Sequence, residues 1–128
     1  MDPNVVGGSS FGILWQTTGA QNEVWYAKPL TYTMNGGTEM VITASNMNTV
    51  RVHDSKNGTQ IAMRTLTAPF LQSDIGCGDI PNFIGVTGTP VLDPATDIIY
   101  MMAKGYKGGA ASGGKENGKL RYPTPWLM

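Results

Sequence analysis

Residues 23–66 constrain the fold more than any other part of the chain. Four segments with strand-like content, 24–33, 39–45, 49–55 and 60–66, are separated by Asn35-Gly36-Gly37, Asn46-Met47-Asn48 and Lys56-Asn57-Gly58. Asn and Gly adopt the positive φ that tight hairpins demand, so consecutive segments should pair antiparallel. The expectation is an all-β chain built on a four-stranded antiparallel meander. Within it, residues 49–54 alternate, placing Val50 and Val52 inward and Thr49, Arg51 and His53 outward. The segment from Gln60 alternates too, with Ile61, Met63 and Thr65 on one side and Arg64 on the other. Met40-Val41-Ile42 is nearly continuous in its apolar character, as in a strand covered on both faces. A slip of one residue would invert each face, so the pattern sets the register. Pro29 predicts an unpaired side or a bulge in the first strand.

The flanks read more weakly. Residues 1–10 are rich in Gly and Ser and predict a flexible lead-in. Residues 11–18, Phe-Gly-Ile-Leu-Trp-Gln-Thr-Thr, read as a short apolar strand. A connector runs from Leu66 to Gly85, where Pro69, Gly76, Gly78 and Pro81 argue against regular structure. Two further strands, 86–93 and 98–106, flank the turn Asp93-Pro94-Ala95-Thr96-Asp97. Residues 107–118 form a Gly-rich loop, and Pro123 and Pro125 predict an irregular tail in which a paired strand is blocked.

Composition limits the functional classes. The 128 residues suffice for one compact domain, and nine basic residues balance nine acidic ones, giving no electrostatic footprint for nucleic acid or an anionic membrane. Charged residues make up only 14%, while Gly reaches 17, a mix suited to short strands and turns. The single cysteine, Cys77, excludes an internal disulfide and a zinc site built on paired cysteines. No apolar run approaches the ~20 residues of a membrane-spanning helix. The N-terminus lacks the features of a signal peptide, so an exported parent protein would have to start upstream. Localisation stays open.

A weak internal repeat is present. Ala27-Lys28-Pro29-Leu30 followed by Met40-Val41-Ile42-Thr43-Ala44 echoes Thr89-Pro90-Val91-Leu92 followed by Tyr100-Met101-Met102-Ala103. Gly12-x-Leu14-Trp15 likewise echoes Gly58-x-x-Ile61-x-Met63. At these residues the chain resembles the quinoprotein-like (PQQ-repeat) β-propellers. Asp54-Ser55-Lys56-Asn57-Gly58 resembles the Asp-x-x-x-Gly ending of their third strand. Gly12-x-Leu14-Trp15 resembles the Gly-x-Leu-Trp of a preceding blade's outer strand. The resemblance covers about residues 11–106 and implies an incomplete β-propeller: one outer strand, a complete blade at 23–66 and a half blade at 86–106. It departs from the family at Met63, where a Trp is expected after one inserted residue, and after Gly118, where no third strand resumes.

Candidate sites are few. Asp74, Cys77 and Asp79 gather in one Gly-rich loop that could hold a cation or substrate, or could simply close Asx turns onto its own backbone. His53 is the only histidine and has no second imidazole to support a metal site. Residues 109–115 mimic seven positions of a phosphate loop, but Glu116 stands where Ser or Thr is required, and no helix follows. Asn57-Gly58-Thr59 is a glycosylation sequon on a turn, usable only in an exported protein. The resemblance brings the quinone to mind, yet one cysteine cannot form the vicinal disulfide of the dehydrogenases in that group, and no calcium loop is visible. The expectation is therefore no cofactor and no catalytic residue. The chain reads as a non-catalytic fragment of a propeller with a binding or scaffolding role, its partners being further blades or further copies meeting through exposed edges. A fragment of a quinone-dependent oxidoreductase is the alternative.

Overall fold

The structure is a computed structural model that describes residues 2–34, 37–76, 78–106 and, for the backbone alone, 115–123. It is mostly β, with the anticipated four-stranded antiparallel meander at its centre. Residues 107–114 and 124–128, which include most of the phosphate-loop mimic, lie outside the described residues.

Residues Pro3–Val6 form a single helical turn, α1. Asp2 caps it by accepting from the Asn4 N–H at 2.9 Å, with Pro3 in the first turn where no N–H is needed. Residues 11–18 form no strand among the described residues, contrary to expectation.

Strands β1 (Leu30–Thr33), β2 (Glu39–Ala44), β3 (Thr49–Asp54) and β4 (Gln60–Thr65) follow in sheet order. The first was expected from residue 24 but starts only after Pro29. Upstream, side chain replaces ladder: Asn46 Oδ1 accepts from the Val24 N–H at 2.8 Å, while the Asn46 N–H donates to the Val24 carbonyl at 2.9 Å. Between β3 and β4 the register shifts at Val52/His53, leaving Ile61 as the extra residue of a bulge. The bulge keeps Ala62 opposite Val52 and against the core, while Ile61 and Met63 stay exposed.

The connector is more ordered than its prolines and glycines suggested. Strand β5 (Phe70–Leu71), the helical turn α2 (Gln72–Ile75) and strand β6 (Phe83–Ile84) close it into a small unit. Gly76 ends α2 in the left-handed region at φ 70°, and Phe70, Ile84 and Tyr106 bury one another as a satellite cluster. Local pairing here compensates for what composition alone disfavours.

A second sheet contains β7 (Val91–Asp93), β8 (Ile98–Tyr106) and β9 (Lys115–Pro123). The irregular tail is thus corrected: nine backbone positions pair along β8, from Tyr106↔Lys115 to Ile98↔Pro123. Pro123 is tolerated because it is the last paired residue of a strand at the edge of the described sheet. Only residues 91–93 of the expected strand 86–93 are paired, since Val86 instead enters the core and donates its N–H to the Ser45 carbonyl.

The two sheets pack face to face. Met40, Ile42, Ala44 and Val52 of the first meet Ile99, Met101 and Ala103 of the second, with Ala27 and Val86 filling the margins. Polar ties fasten the same contact. The Tyr32 hydroxyl donates to Asp97, the Lys28 N–H donates to Thr89 Oγ1 at 3.1 Å, and Asn48 Nδ2 donates to the carbonyls of Thr67 (3.1 Å) and Lys104 (2.8 Å).

Candidate functional site

Asp74, one residue of the expected binding loop, is tied to another element. Asp74 lies on α2 and accepts from the Tyr106 hydroxyl, which itself accepts from the Leu71 N–H at 2.9 Å. That places Asp74 as an anchor between the connector and β8. Donation to Asp74 pushes the Tyr106 phenol up, against the lowering effect of the Leu71 N–H. Asp79 is exposed, and Cys77 lies outside the described residues. Among the described residues no three His, Cys, Asp or Glu side chains gather as metal ligands would.

Asn57 is exposed and accepts from the Thr59 N–H at 2.8 Å, an Asx turn. Asp54 starts the same turn, accepting from the N–H groups of Lys56 (2.8 Å) and Asn57 (3.2 Å). Asp93 caps the turn between β7 and β8 in the same manner, accepting from Thr96 Oγ1 (2.7 Å) and the Ala95 N–H (3.0 Å).

The side chains that do converge lie on the other face of the four-stranded sheet. The Trp15 indole rests against Gly58, where a Cβ would fall 2.6 Å from Trp15 Cδ2, and Gly58 has φ 73°. Only glycine fits that position on both counts. Trp15 Nε1–H donates to the Ser55 carbonyl at 2.8 Å, and the ring lies 5.8 Å from the His53 imidazole. Glu23, deeply buried, forms an ion pair with Arg51.

This cover corrects the outward assignment of β3. His53 is 2% exposed with Trp15 beside it, Arg51 is paired with Glu23, and Thr49 is 7% exposed. Alternation assigned the face correctly, but it carries no information about a covering segment some 30–40 residues away. The tryptophan and the glutamate were the available signals, and neither belongs to the meander. Burial, and then the Arg51 charge, push the His53 imidazole below its usual value near 6.5. Burial works to raise Glu23. Hydrogen bonds from Arg51, Ser45 and the Ala20 N–H, with the Arg51 charge, prevail and hold its carboxyl below 4.5.

The imidazole is covered by an indole, and the carboxylate is committed to a guanidinium. No helix of the described residues is long and apolar enough to cross a membrane. Comparison with models of protein families, with curated proteins and with solved structures finds no match.

Proposed function

We propose that this chain is a section of a quinoprotein-like stack of β-sheets, an incomplete propeller with a non-catalytic binding or scaffolding role. One observation carries the reading: the four-stranded antiparallel meander packs face to face against a second antiparallel sheet, β7-β8-β9, as neighbouring units do in open repeat stacks.

The docking of Trp15 on Gly58 adds support. It joins the two short motifs on which the family resemblance rests, across 43 residues of sequence. The non-catalytic role is supported by where ionisable groups go: Asp54 and Asp93 into turns, Asp97 to Tyr32, Asp74 to Tyr106, Glu23 to Arg51. Titrating the protein with the quinone and Ca²⁺ while following absorbance tests the role. No saturable change is expected; saturable binding at micromolar quinone would instead favour the oxidoreductase alternative.

A further inference from the structure

Among the described residues the molecule holds an apolar strip outside any sheet and a second sheet of three strands against four in the first. Residues 11–18 have the content of an apolar strand, yet among the described residues the backbone of 12–18 makes no hydrogen bond to a neighbouring strand. Only Trp15 is anchored, while Ile13 and Leu14 are 84% and 75% exposed. The second sheet has the order β7-β8-β9, against β1-β2-β3-β4 in the first, so the position beside β9 that corresponds to β4 is unfilled among the described residues.

We propose that residues 11–18 of one copy of this chain add to β9 of a second copy as its fourth, antiparallel strand, building a head-to-tail assembly. The proposal rests on reading the two sheets as successive repeats. Pairing within one chain is blocked by placement. The strip lies on one face of the four-stranded sheet and β9's sheet on the other, roughly 20 Å apart at two sheet spacings. Reaching β9 in the same molecule would require Trp15 to leave Gly58.

A second copy removes that conflict and satisfies two surfaces at once. The strip already lies in the layer above the face bearing Thr31, Thr33, Val41 and Thr43, which are exposed or half-buried. If that layer were occupied by the partner's three-stranded sheet, its outer face of Val91, Tyr100 and Met102 would descend onto those four residues. The occupant follows from complementarity: one chain carries both the spare strand and the sheet that lacks one. Strand addition at an open edge is a general mode of association, with main-chain hydrogen bonds giving affinity.

Sedimentation of the full chain under reducing conditions, over roughly 1–500 μM, tests it, since that range brackets ordinary micromolar self-association. Mass should rise with concentration beyond the monomer. Ile13→Pro removes a donor from the added strand and should raise the apparent dissociation constant about tenfold or more. Its far-UV circular dichroism should be unchanged, because Ile13 makes no backbone hydrogen bond among the described residues. Tyr100→Lys, placing a charge on the descending face, should act in the same direction, and a peptide of residues 11–18 added in excess should dissociate the assembly. A monomer at every concentration, or an assembly indifferent to both substitutions, overturns the proposal. Either result leaves the Trp15–Gly58 docking and the quinone titration as separate tests of the stacked-sheet reading.

Discussion

The two sheets place similar strand material in different surroundings. In the first, β2 is buried at Met40, Ile42 and Ala44 by the neighbouring sheet, and on the opposite face of β3 His53 lies beside Trp15 and Arg51 is paired with Glu23. In the second, β8 is buried on one face by Ile99, Met101 and Ala103, while Tyr100 and Met102 on the other face remain exposed. Ile42 is 1% exposed and Met102 45%, although both lie within a paired strand of an antiparallel sheet. The difference also shows what completes a sheet here: a covering layer contributed by distant sequence.

The sharpest test of that contrast is a pair of truncations. Ile42→Ala should cost about 3–4 kcal/mol and Met102→Ala within about 0.5 kcal/mol, measured by urea unfolding at about 1 μM. Comparable losses for the two would mean that the second sheet is covered on both faces. Next in size is the tie between the regions. Asn48→Ala leaves the Thr67 and Lys104 carbonyls without their donor and removes an Asn from φ 56°, so a loss of about 3 kcal/mol is expected. A loss under about 1 kcal/mol would show that the sheets stay together through apolar contact alone.

A smaller effect separates conformation from docking. Gly58→Ala and Gly76→Ala carry nearly the same left-handed strain, at φ 73° and 70°, but Gly76 opens onto empty space. We expect about 1 kcal/mol for Gly76→Ala and 2–3 kcal/mol, roughly, for Gly58→Ala, with a red shift of tryptophan emission only in the latter. Equal losses without a spectral change would remove Trp15 from the account.

The smallest effect is the pH dependence of the covered face. The folded His53 pKa lies below its unfolded value near 6.5, so above that pH both states are neutral and the group contributes no slope. As pH falls below it, the unfolded state takes up the proton first and stability declines, until the folded pKa is passed. Glu23 acts lower down: its contribution is complete above 4.5 and is lost as pH falls through its depressed folded pKa. His53→Gln should flatten the decline just below pH 6.5 and leave the lower one in place. A variant with the wild-type profile in both ranges would show that His53 is not covered.

The meander was legible because each of its signals is local: alternation in Thr49–Asp54, Asn and Gly at the turns, and a short loop between strands. The same locality explains the errors. His53 was assigned outward because no period within β3 registers a tryptophan 38 positions away. Pro123 and Pro125 suggested a blocked tail, yet a proline ending an edge strand removes few ladder bonds. The tie of Asp74 to Tyr106 on β8, 32 residues away, is likewise not visible in its own sequence neighbourhood. The family resemblance picked out Trp15 and Gly58 separately. Their contact is a tertiary fact.

The Asn48 side chain has a consequence for the order of events in folding. Its partners are 19 and 56 residues away in sequence, one in the connector and one on β8. A tie of that span cannot close until the turn between β2 and β3, the connector and β8 are all in place, so we expect it to form late in folding. Removing it should leave the refolding limb of a chevron nearly unmoved and steepen the escape from the native state, with a φ-value near zero. The residence time of the folded form, more than its rate of arrival, is what Asn48 governs.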